Sequence, residues 1–124
     1  MYEQNKKIII VTDREEISKK INKILRKEPY EIEMVTLGQT CLERMRKGNE
    51  YDLIIIDEEI PKLSSEDTLN KIKDTKCYKK PVILITKNKE FGSREMYQEK
   101  GFKDIIIEPI KKEEIINIVK EYIK

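Results

Sequence analysis

Asp57 is a carboxylate at the end of an oily run. Residues 52–57 read DLIIID, and Glu58, Glu59, Ile60 and Pro61 follow. Leu53, Ile54, Ile55 and Ile56 form a continuous apolar stretch, the kind that lies buried on both faces of a parallel sheet covered by helices. Asp57 would then emerge at the carboxyl edge, where open α/β sheets place their ligand sites. A second acid, Asp13, follows a comparable run, Ile8-Ile9-Ile10-Val11. Two strands delivering carboxylates to one edge suit a divalent cation and a phosphoryl group. Magnesium takes oxygen ligands and keeps several waters, and phosphoryl transfer rests on positioning and charge neutralisation. The chain has no histidine, which removes the commonest general base and the usual catalytic triads.

The elements that must hold these residues alternate. Strand one is expected at Lys7–Thr12 and helix one at Arg14–Lys27, with Ile17, Ile21, Ile24 and Leu25 at helical spacing. Asp13 is expected to cap that helix. Pro29 breaks it, and Glu31–Val35 reads as a short second strand with Ile32 and Met34 inward. Helix two spans Gln39–Lys47 and stops at Gly48; strand three is Tyr51–Asp57. Helix three covers Ser64–Asp74 with Ser64 or Ser65 as cap, and strand four is Pro81–Thr86. A weakly amphipathic helix four follows near Ser93–Lys100, then strand five at Lys103–Ile107. Helix five, Lys111–Ile123, carries an apolar stripe of Ile115, Ile116, Val119, Tyr122 and Ile123. Five strands alternating with five helices predict a doubly wound α/β fold with a parallel sheet in the order 2-1-3-4-5.

At 124 residues the chain is read as one domain, 1–124. Lys and Arg number 26 against 24 Asp and Glu, so the formal charge is only +2 and there is no case for a nucleic-acid module. The 40% of charged residues read as a solvated surface. No apolar run approaches a membrane span, and the opening Met1-Tyr2-Glu3-Gln4-Asn5 is no signal peptide; a cytoplasmic protein is expected. With Met1 read as the true start, no domain is expected before it. A last helix running to Lys124 fits either a stand-alone domain or the first part of a longer protein. Cys41 and Cys77 lack metal spacing. Cys41, beside Leu42 and Met45, is expected to be a buried structural thiol, and Cys77, in a lysine-rich loop, an exposed one.

Five landmarks occur in order: Val11-Thr12-Asp13-Arg14-Glu15, Gly38, Asp57 with Pro61, the strand Pro81–Thr86, and Gly101 through Glu108-Pro109. In this ordered set the chain resembles the receiver domain of bacterial response regulators, over nearly its whole length. The resemblance implies that Asp57 accepts a phosphoryl group from a histidine kinase or phosphotransfer protein. It implies a magnesium ion held by Asp13, Asp57 and the backbone carbonyl of Glu59. It gives Thr86 the role of the hydroxyl that closes onto the phosphoryl oxygens, and signalling to an output domain or effector, with a homodimer among the alternatives. It also implies a bond before Pro109 that is typically cis.

The sequence departs from that pattern at site positions. Thr12 stands where the family has its first acid, Glu108 where it has a lysine, and Ile105 where it has the aromatic behind the hydroxyl. Counting phosphoryl and magnesium, a family pocket carries about −1 and this one about −2. An ionised glutamate cannot donate to a phosphoryl oxygen. Lys87, Arg14 and Lys62 are candidate compensating cations, with a solvated surface charge as the plain expectation for each. Lys87 has three alternatives: reaching the site, pairing with Glu108, or blocking access. Glu108 could instead join Asp13 and Asp57 around a cation. Two readings follow: a phospho-accepting receiver with weakened activation, and a phosphate-independent interaction module. A flavodoxin-like enzyme ranks behind both, because Thr12-Asp13-Arg14-Glu15-Glu16 lacks the glycine-rich amides a bound phosphate needs. Asp104 matches an acid of the winged-helix subgroup's dimer face, but Ile118 replaces that face's arginine. Ile110, Ile118 and Tyr122 are expected to complete the core.

Overall fold

A computed structural model describes residues 5–123. Met1–Gln4, most of the opening segment read above as no signal peptide, and Lys124 lie outside the described residues. The elements run β1 (Lys6–Val11), α1 (Glu15–Leu25), β2 (Tyr30–Val35), α2 (Gly38–Arg46), β3 (Leu53–Asp57), α3 (Ser65–Ile72), β4 (Val82–Thr86), α4 (Ser93–Lys100), β5 (Asp104–Ile107) and α5 (Lys112–Tyr122). All strand pairings are parallel and the order is β2-β1-β3-β4-β5, as the alternation predicts.

The isoleucine runs explain why the sheet is central. Successive side chains point to opposite faces, so an unbroken apolar strand feeds two cores. Ile8, Ile10, Leu53, Ile55, Ile83, Ile85 and Ile106 pack on one face with Ile17, Ile21 and Leu25 of α1 and Ile115, Ile118 and Val119 of α5. Ile9, Val11, Ile54, Ile56, Leu84 and Ile105 pack on the other, with side chains from α2, α3 and α4. Ile110 and Ile118 are buried and Tyr122 packs against the first cluster, so these residues complete the core as expected.

Two local expectations are corrected. Asp13 does not cap α1: the cap position is Arg14, and no side chain bonds the free amides there. Cys77 is buried, because the loop after α3 folds back and its sulfur accepts from the Tyr51 amide at 3.5 Å. Burial pushes both thiols up, Cys41 to about 12. Ser64, by contrast, caps α3 as read, accepting from the Asp67 amide at 3.0 Å. Gly38 has a packing reason: a Cβ there would meet the Thr68 hydroxyl at 2.1 Å, so α2 and α3 approach closely only through a glycine.

Candidate functional site

Asp57 ends β3 with its side chain 0% exposed. Both oxygens are taken. Oδ2 accepts from the Thr12 hydroxyl at 2.7 Å and from Arg14 Nε at 2.8 Å. Oδ1 accepts from Arg14 Nη2 at 2.9 Å and from the Glu59 amide at 3.0 Å. The arginine therefore grips the carboxylate with two parallel bonds, the strong bidentate geometry of a guanidinium.

The same guanidinium continues to two further acids. Nη1 and Nη2 donate to Glu108 Oε1 and Oε2 at 3.1 and 2.7 Å. Nη1 also lies 3.0 Å from Glu59 Oε2. Arg14 thus ties together the loops after β1, β3 and β5, and its side chain is only 16% exposed. The solvated-surface expectation fails here because the backbone at Arg14 is extended and anchored. Its amide donates to Thr12 Oγ1 at 3.2 Å, and its carbonyl accepts from the amides of Ile17 and Ser18. Thr12 serves both partners, donating to Asp57 and accepting from Arg14. An ionised aspartate in its place could only accept.

The electrostatics follow. Hydrogen bonds donated to Asp57 and Glu108 hold the Arg14 guanidinium above its ordinary value, against the cost of burial. Burial pushes the Asp57 carboxyl up, but Arg14, the Glu59 amide and Thr12 pull it down and prevail, leaving it below the usual carboxylate range.

A second cluster stands beside the first. Thr86 ends β4, and its hydroxyl donates to Glu58 Oε1 at 2.6 Å. The Tyr97 hydroxyl, from α4, donates to Glu58 Oε2 at 2.6 Å and lies 3.3 Å from Thr86 Oγ1. Ile105 is buried, so an aromatic reaches this hydroxyl from α4 rather than from β5. Neither Glu58 nor Tyr97 stands out in the sequence; the available signal is a tyrosine beside Met96 in a mostly polar helix.

The remaining predicted residues are spread around the pocket. Lys87 pairs with Glu59 at 3.2 Å, not with Glu108. Glu108 follows β5, its amide donating to the Thr86 carbonyl at 2.9 Å, and the Glu108–Pro109 bond is cis. Asp13 is exposed and makes no side-chain hydrogen bond or ion pair with the other described residues. Asp104 is held within the chain by Arg94 and by the Tyr122 hydroxyl at 2.8 Å. Among the described residues no group of three or more Cys, Asp or Glu side chains is placed to hold a metal ion. As they stand, these residues do not fit magnesium: Asp57 is saturated by donors, and a fixed cation already faces it.

A sheet of this order, with Asp57, Thr86 and Glu108 at the carboxyl ends of β3, β4 and β5, has a direct counterpart among known proteins. The model of the response regulator receiver domain matches residues 8–120. The chain belongs to the response regulator receiver family. It is a receiver domain of two-component systems, and the proteins it resembles differ in context. It is 29% identical over 118 residues to the transcriptional regulatory protein CpxR homolog of Haemophilus influenzae, covering 95% of this chain and 50% of that protein. The chain spans from 13% to half of the length of the curated relatives it matches. The receiver domain of the sensor histidine kinase PA1611 from Pseudomonas aeruginosa superposes with a TM-score of 0.84 at 25% identity, covering 97% of this receiver and 98% of that chain; that structure has a magnesium ion coordinated in its active-site cleft. The chemotaxis response regulator CheY4 of Vibrio cholerae gives a TM-score of 0.85 at 18% identity over 96% of this receiver and 99% of that chain. No helix among the described residues of this receiver is long and apolar enough to cross a membrane.

Proposed function

We propose that this receiver acts as a phosphate-independent interaction module within a two-component protein. The observation that carries the reading is the Asp57 carboxylate, buried with both oxygens occupied by hydrogen-bond donors. A carboxylate attacks phosphorus through a free lone pair, and every approach to these oxygens passes Arg14, Thr12 or the Glu59 amide. Its lowered basicity weakens it further as a nucleophile. The partners of such a module are protein surfaces: a histidine kinase or phosphotransfer protein, an output domain or effector, or a second copy, in the cytoplasm and without direct contact to nucleic acid or membrane.

A second reading keeps Asp57 as phospho-acceptor with magnesium, with Thr86 closing on the product and activation weakened by Glu108. The observation in its favour is Asp13, exposed and unengaged beside the pocket. The two readings separate on incubation with a small phosphodonor and magnesium, read by intact mass beside Asp57→Asn. The interaction-module reading expects no added phosphate on either protein. One phosphate on the wild type and none on the variant would establish the second reading in its place.

A further inference from the structure

We infer that the Arg14 guanidinium is a tethered cation that occupies the place of a divalent ion, so that this pocket is built to work without metal. The inference deepens the closed-pocket reading by naming what neutralises the site.

The pocket gathers three carboxylates, Asp57, Glu59 and Glu108, from two loops distant in sequence, and one guanidinium contacts all three at 2.7 to 3.1 Å. Carboxylates brought together need a positive charge between them, because like charges at short range disfavour ionisation. A divalent ion does this from a point, with oxygens drawn in to about 2.0–2.6 Å. A guanidinium does it from a plane, with donors in a fixed fork. The acids here are spread for the fork: two donors on Asp57, two on Glu108, and Nη1 also within 3.0 Å of Glu59 Oε2. The side-chain groups of the described residues include none drawn in around a point.

The neighbouring residues agree with a fixed cation. Thr12 donates to Asp57 and orients the Arg14 amide, where an acid would add a fourth negative charge to three that one guanidinium already offsets only in part. Lys87 Nζ lies 3.2 Å from the same Glu59 Oε2 that Arg14 contacts, which adds a second positive charge at the rim. An ion entering this arrangement would have to displace Arg14 from a buried bidentate pair and then sit beside its charge.

The test is manganese titration of the full chain, followed by electron paramagnetic resonance of the free ion and by line broadening of backbone amide signals. Wild type is expected to show no saturable site and no selective broadening at Asp57, Glu59 or Glu108. Arg14→Met keeps the aliphatic stem and removes the charge; it is expected to show a saturable manganese site, half-filled at least tenfold below the highest concentration at which wild type shows none, with broadening at those three positions. Arg14→Lys, a point charge that cannot span the fork, is expected to fall between them. Selective broadening in wild type, or equal affinity in wild type and Arg14→Met, overturns the inference. The wild-type titration stands alone if the variants fold poorly. The outcome is separable from that of phosphodonor labelling. Labelling without metal would end the closed-pocket reading and leave the tethered cation; manganese bound to an unlabelled wild type would do the reverse.

Discussion

The Thr86 hydroxyl and the Glu58 carboxylate meet at 2.6 Å, and the Tyr97 hydroxyl holds the other oxygen of the same carboxylate at 2.6 Å. Adjacent to the closed Asp57 pocket, the loop after β3 is thereby pinned to β4 and α4 at once. Hydrogen bonds to a charged group contribute about 1.5–3 kcal/mol each. Tyr97→Phe removes one of them with little change in shape. It is expected to speed amide hydrogen exchange in Ser93–Lys100 by roughly 5- to 30-fold, the factor that corresponds to one or two kcal/mol. Unchanged exchange in α4 would show that the helix is held by its apolar contacts alone.

The Arg14–Glu108 pair is expected to be cooperative. Both side chains are largely buried, and Arg14 also serves Asp57. In a double-mutant cycle with Arg14→Met and Glu108→Gln, followed by urea unfolding, contacting residues of one network couple by about 0.5–3 kcal/mol. Additive losses would mean that Glu108 is held by solvent rather than by the arginine.

Acid stability carries a signature of Asp57. Its folded-state carboxyl lies below the unfolded value of about 4. Such a group contributes stability that is complete above the unfolded value and is lost as pH falls through the folded one. Wild type is therefore expected to lose stability on acidification below about pH 4 more steeply than Asp57→Asn. Parallel acid limbs in thermal melts of the two proteins would remove Asp57 as the cause.

Gly38→Ala is expected to be costly although alanine favours helices. The added methyl would lie 2.1 Å from the Thr68 hydroxyl, which donates to the Ser64 carbonyl at 2.8 Å and has little freedom to move. Overpacking of this kind costs roughly 1–3 kcal/mol. Thr68→Ala in the same chain should restore much of the loss. If the second change only adds to the first, the contact is not the source.

The fold was legible because its signals are local and repeated. Unbroken runs such as Ile8–Val11 and Leu53–Ile56 admit few alternatives once helical stripes separate them. The ordered landmarks led to the right family for the same reason. The site was legible only as a set of positions. Thr12, Glu108 and Ile105 could be seen as departures, but Arg14 follows a turn from which a long side chain can point to solvent or back over the sheet. Its choice depends on where Asp57, Glu59 and Glu108 lie in space. Tyr97 carries no such mark, because a helix as polar as Ser93–Lys100 has almost no periodicity to show its buried side.

The exchange of charges between Arg14 and Glu108 constrains the mutational routes open to this protein. Losing the arginine alone strands three acids in a partly dry pocket, and converting Glu108 to lysine alone sets two cations against one buried aspartate. Each single step is uphill, whichever comes first. Placing an arginine-free pocket with a lysine after β5 therefore requires concerted substitutions in loops far apart in the chain.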